Sequence, residues 1–125
     1  MKGLFSAIVT FVTILIIASS CYYDNEETLY PNITPCDTAN VTFSGSVRIL
    51  LSNNCLSCHS NSQAAANGNN IRLELHSDVA AMAATIEGAI NHLPQYSHMP
   101  KNGRKLEACL IRQFEIWRQK GSPND

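Results

Sequence analysis

At 125 residues the chain has room for one small domain and little more. Nine Lys and Arg stand against ten Asp and Glu, a formal charge of −1, so there is no basic surplus for nucleic acid. Aromatic residues make up 7% of the chain and alanine crowds its middle, so a domain this small would be helped by a large apolar cofactor, by a disulfide among its five cysteines, or by both.

The first element is not part of the domain. Lys2 gives a positive start, and Leu4 to Ala18, LFSAIVTFVTILIIA, is an apolar run too short to span a membrane comfortably. It ends in ASSC. This arrangement resembles a bacterial lipoprotein signal, which implies that residues 1–20 are removed and that Cys21, carrying lipid, becomes the first residue of the mature chain. The competing reading is an ordinary secretory peptide with Cys21 incidental. Removal of Lys2 leaves eight basic residues against ten acidic ones, and export places the cysteines where disulfides persist.

From Tyr22 to Thr42 the chain is polar, holds two prolines and shows no sustained periodicity. Residues 21–35 therefore read as a tether, acidic at Asp24, Glu26 and Glu27, with the folded domain expected over 36–125. The first helix is predicted from an N-cap at Ser44 to about Asn54, with Val47, Leu50 and Leu51 on one face and Cys55 continuing it. Residues 61–70, NSQAAANGNN, read as loop. Ile71, Leu73 and Leu75 alternate too briefly to predict a sheet. A second helix is expected from a Ser77 N-cap, with Asp78 in its first turn and Val79, Met82, Ile86 and Ile90 as its stripe, stopped by Pro94. Pro94 to Gly103 is loop. The last helix spans roughly Leu106 to Lys120, burying Leu110, Phe114 and Trp117, widened by Ile111. Gly121 is placed to end it, and Pro123 prevents continuation. The expected fold is all-α, three main helices with long loops.

The chemistry concentrates in NCLSCHSN, Asn54 to Asn61, which contains a CxxCH. A thioredoxin-like dithiol would begin a helix after a strand, whereas this pair follows a helix and no parallel sheet is visible. Zinc would want a fourth ligand, commonly from a second close pair, and none is present. Covalent haem explains every position: Cys55 and Cys58 add across the two vinyl groups of one porphyrin edge, and His59 reaches the iron from the proximal side.

A second axial ligand has few sources. Beyond the leader only Met82 and Met99 remain, and Met82 falls in a helical apolar stripe, where core is the simpler role. Met99 sits in a loop before Pro100, which stiffens the segment. Its soft thioether suits ferrous iron. His98 and His92 are the rival distal ligands.

With CLSCH at the end of a helix, YSHMPKNG as a candidate distal loop and LEACLIRQFEIWRQKGSPN as the last helix, the chain from about Leu29 to Asn124 resembles a small class I-type cytochrome c. More narrowly it is similar to the short monohaem lipoproteins with a PCD stretch before the first helix. The resemblance implies one covalently attached haem c, thioethers at Cys55 and Cys58, and His59 and Met99 as axial ligands. Many relatives carry proline where this chain has His98. It also implies that the first and last helices cross and pack, with the haem in a crevice that leaves one edge exposed. It suggests a use for Cys36 and Cys109 too: a bond between them would close a long loop and contribute roughly 4–5 kcal/mol in chain-entropy terms.

The expected function is that of a membrane-anchored carrier of single electrons outside the cytoplasm, facing periplasm or cell surface. It would be tethered by lipid and serve redox partner proteins, with no small-molecule substrate and no acid, base or nucleophile set that would make it an enzyme. Tyr96, Arg72 and Lys101 are candidates for the haem propionates, and Lys101, Arg104 and Lys105 form a small basic cluster beyond the distal loop. The alternatives are a haem-based ligand-binding or sensor module, and a structural zinc or thiol lipoprotein built on Cys55, Cys58 and His59.

Overall fold

A computed structural model describes residues 36–101 and 103–125. The leader, Cys21 and the tether to residue 35 lie outside the described residues. All regular structure among the described residues is helical. A π-helical turn, Phe43–Val47, runs into α1, Arg48–Asn54; then come α2, Leu56–His59, α3, Ala64–Asn67, α4, His76–Ala81, α5, Ala83–Ile90, and α6, Ala108–Gln119. No helix among the described residues is long and apolar enough to cross a membrane.

The first helix begins earlier than its serine suggests. Thr42, not Ser44, is the N-cap: its backbone is extended and its Oγ1 accepts the Gly45 N–H at 3.0 Å. The reason is burial, since Val41, Phe43 and Val47 all enter the core and the turn must start at Phe43 to bring them there. A helix start leaves N–H groups without intrahelical partners. Two of these are met from the far end of the chain: the Asp125 carboxylate accepts from Phe43 N–H at 2.6 Å, and the Asp125 backbone oxygen accepts from Ser44 N–H at 2.9 Å.

The expected second helix is broken in two. Ser77 is not its cap; α4 follows Leu75, which is extended and offers no side-chain cap, and starts at His76. The His76 ring packs edge-on against Phe43 and Trp117, and its Nε2–H donates to the Ser122 carbonyl at 2.9 Å. Met82 interrupts the helix with φ −108° and ψ 8°, and α5 resumes at Ala83. Val79, Ile86 and Ile90 are buried as the stripe requires, while Met82 is half-buried at the break. The expected loop over 61–70 contains the single turn α3. The alternation at Ile71, Leu73 and Leu75 forms no strand: Leu73 is buried, Ile71 half-buried and Leu75 exposed.

Along α6, Ile111, Phe114 and Trp117 are buried and Leu110 is half-buried. Gly121, at φ 90°, ends the helix in the left-handed conformation that glycine adopts without steric cost. Gly121 N–H donates to Arg118 O and Ser122 N–H to Trp117 O, the paired bonds of a Schellman termination. The tail then folds back, and Trp117 Nε1–H donates to the Pro123 carbonyl at 2.8 Å, so the largest core side chain leaves no donor unmet.

The helix α6 is the hub. It packs on the π-helical turn and on α5, and Arg118 grips both carboxylate oxygens of Glu87. Cys36 and Cys109 are bonded, with Cα atoms 5.5 Å apart and a separation of 73 positions in sequence. The pairing that the resemblance implied is therefore present, and it pins the start of the domain to α6. Gln113 and Lys120 add to it by donating to the Asp37 and Val41 carbonyls.

Candidate functional site

The two thiols and the imidazole are arranged by a single helical turn. After α1, Cys55 departs from helical geometry at φ −123°, and α2 carries Leu56 to His59. Cys55 N–H still bonds Leu51 O, and His59 N–H bonds Cys55 O, so the turn hangs from the end of α1. Cys55 and Cys58, three apart on this turn, lie on neighbouring positions of one side. They are not bonded to each other. Cys58 is exposed, whereas Cys55 packs against the core. Burial pushes the Cys55 thiol up to about 11, because the thiolate loses solvation there.

The His59 ring is oriented by a backbone carbonyl. Its Nδ1 lies 3.0 Å from Ile71 O. A carbonyl can only accept, so Nδ1 carries the hydrogen and the neutral ring keeps its lone pair at Nε2. An imidazole with one nitrogen tied to a carbonyl and the other free is the usual state of a metal-ligating histidine. The segment that supplies this carbonyl is built for a close approach. Leu73 N–H bonds His59 O, and Asn69 and Asn70, at φ 51° and 61°, take the left-handed turn that asparagine tolerates. Gly68 lies directly beneath the motif: a Cβ there would stand 2.5 Å from Cys58 O and 2.9 Å from His59 Nδ1. Sequence reasoning missed Gly68 and Ile71, and only the small turn-forming run GNN offered a signal.

Met99, in the loop beyond α5, reaches the same region. Its N–H donates to Ala89 O at 3.1 Å, and its carbonyl accepts from His92 Nε2–H at 3.0 Å. Tyr96, ahead of it in the loop, lies over Gly88, where a Cβ would come within 2.3 Å of the ring.

These pieces enclose one cleft of about 510 Å³, within the range of small-molecule and cofactor sites. Cys55, Cys58 and His59 line it, as do Met99, Met82 and the apolar face of α5 at Ile86, Ala89 and Ile90. His92 and His98 are not among its lining residues. Their rings stack on each other outside it, 4.6 Å apart and 2° from parallel. Tyr96 and Lys101 line the cleft and Arg72 does not. Among the described residues no three His, Cys, Asp or Glu side chains gather closely enough to hold a metal ion, so Cys55, Cys58 and His59 do not converge on one point.

No protein family, curated protein or solved structure matches the chain.

Proposed function

We propose that the chain is a monohaem c-type cytochrome that carries single electrons between redox partner proteins outside the cytoplasm, held at a membrane by lipid on Cys21. One observation carries the reading. A single cleft of about 510 Å³ brings together two unbonded thiols one helical turn apart, an imidazole whose Nδ1–H is committed to Ile71 O, and a thioether from about forty residues further along. This donor set fits haem c: Cys55 and Cys58 would hold it through thioether bonds, and His59 Nε2 and the Met99 thioether would ligate its iron. Haem bound there would supply a one-electron iron(III)/iron(II) couple.

The chain's own contribution is to hold its ligands still and keep water out. His59 is fixed through Ile71 O, and the backbone of Met99 through both of its polar groups. Met82, Ile86, Ala89 and Ile90 give the cleft an apolar wall. Ligands held in one place in both oxidation states reduce the rearrangement that accompanies electron transfer. With His59 and Met99 both held as ligands, the site would exchange electrons and leave no place for a substrate, the property of a carrier rather than of an enzyme.

The test is the absorption spectrum of the mature protein, expressed with haem-attachment machinery and recorded oxidised and reduced. Sharp reduced bands of low-spin c-type haem, retained after denaturation and lost in the C55A/C58A variant, are expected. A weak long-wavelength band in the oxidised state would mark a methionine–iron bond. High-spin haem would turn the reading toward a ligand-binding module, and absence of covalent haem would overturn it.

A further inference from the structure

Two imidazoles stand immediately outside the cleft, beside the one methionine carried on its rim loop. Position 98 precedes Met99, so a small rotation of the loop would exchange a thioether for an imidazole at the same site. Imidazole is itself a good ligand for haem iron. Something must therefore decide between the two, and we propose that His92 does so: it clasps the loop from outside, holding the Met99 carbonyl and the His98 ring, and thereby presents Met99 to the cleft and keeps His98 out. This rests on the haem reading above.

His92 holds the position that follows the α5 C-cap, Asn91, at φ 57°. Its N–H donates to Ala89 O and Leu93 N–H donates to Gly88 O, the same paired termination that Gly121 provides for α6. Glycine would serve that termination with less strain. The imidazole accordingly brings something that the turn itself does not need, and two contacts show what it is. Its Nε2–H reaches the Met99 carbonyl at 3.0 Å, and its face lies parallel to His98 with ring centres 4.6 Å apart. Because the carbonyl only accepts, the hydrogen is on Nε2 and the ring orientation is fixed. Met99 N–H is meanwhile held by Ala89 O. Both polar backbone groups of Met99 are thus tied to the α5 terminus, and the competing side chain is stacked on the residue that ties them.

Three variants test the clasp: H92N, which keeps a residue at ease at positive φ but removes the ring; H98A, which removes the competitor; and H92N/H98A. Each is expressed with haem-attachment machinery and compared with the parent by oxidised-state spectrum and reduction potential. The parent and H98A should both show the methionine band. H92N should lose most of that band and shift to a lower potential, and the double variant should recover both, because no imidazole remains to take the site. H92G, with glycine at ease at φ 57°, serves as a second form if H92N folds poorly. An H92N protein indistinguishable from the parent would overturn the clasp. So would loss of the band that the double variant fails to recover, since His92 would then only brace the loop. A parent with low-spin haem but no methionine band also overturns it while leaving the haem reading intact, whereas a parent without covalent haem overturns both.

Discussion

The two sides of the cleft are built differently. The side carrying Cys55, Cys58 and His59 is one helical turn hung from the end of α1, braced by Gly68 and by the Ile71 and Leu73 backbone, all close by in sequence. The side carrying Met99 is a loop whose position depends on where α5 ends, and α5 in turn is placed by α6 through packing and the Glu87–Arg118 pair. Local construction makes the first side rigid and readable. The second inherits its position from the whole domain, so its chemistry can be altered from further away.

The largest expected effect falls on both sides together. Breaking the Cys36–Cys109 bond in C36A/C109A reopens a loop of 73 positions and should cost roughly 4 kcal/mol, read as a lower denaturant midpoint. If melting moved by much less, the hub at α6 would not depend on that bond.

Adding one methyl group on each side separates them. In G68A the new Cβ meets backbone, Cys58 O at 2.5 Å, which cannot step aside, so a loss of about 2–3 kcal/mol and a displaced His59 ring are expected. In G88A the new Cβ meets the Tyr96 ring from its Cγ outward, so the ring must swing together with its loop; alanine's preference for the helix offsets part of this, and the net loss should be about 1–2 kcal/mol. Thermal melts of the haem-free variants measure both. Equal losses would erase the distinction between a locally braced side and an adjustable one.

Alkali should act on the first side through Cys55. The folded-state value of Cys55, about 11, lies above its ordinary 9.0, so the native state holds that proton more tightly than the unfolded chain does. The haem-free protein should keep this contribution in full below pH 9 and lose on the order of 2 kcal/mol as pH rises towards 11. Urea titrations at a series of pH values spanning that window would show this slope in the parent. In C55A that contribution should disappear.

The smallest effect tests the link to the second side. Arg118 and Glu87 are partly exposed, so R118A should lower stability by only about 0.5–1 kcal/mol. Its informative readout is faster amide exchange at Met99, whose N–H is held by α5, with the His59 region unchanged.

Local pattern accounts for the parts whose causes lie within a few residues. The CxxCH spacing, the apolar stripe of α6, the stop at Gly121 and Pro123, and the burial of Val79, Ile86 and Ile90 all follow from periodicity and turn chemistry. Other features depend on partners distant in the chain, and no local rule reaches them. The cap moved from Ser44 to Thr42 because Phe43 is buried and Asp125 supplies acceptors from 82 positions away. The second helix broke at Met82 and began at His76, whose ring packs on Trp117 and whose Nε2 finds Ser122 O. The lone pair that the Ile71 contact leaves on His59 Nε2, the placement of Met99 on the cleft and the stacking of His92 on His98 rest on hydrogen bonds and ring contacts that form only when separate segments meet. Residue types announce which groups can ligate, but a backbone carbonyl carries no residue identity, so the contacts that orient those groups were not written in the local pattern.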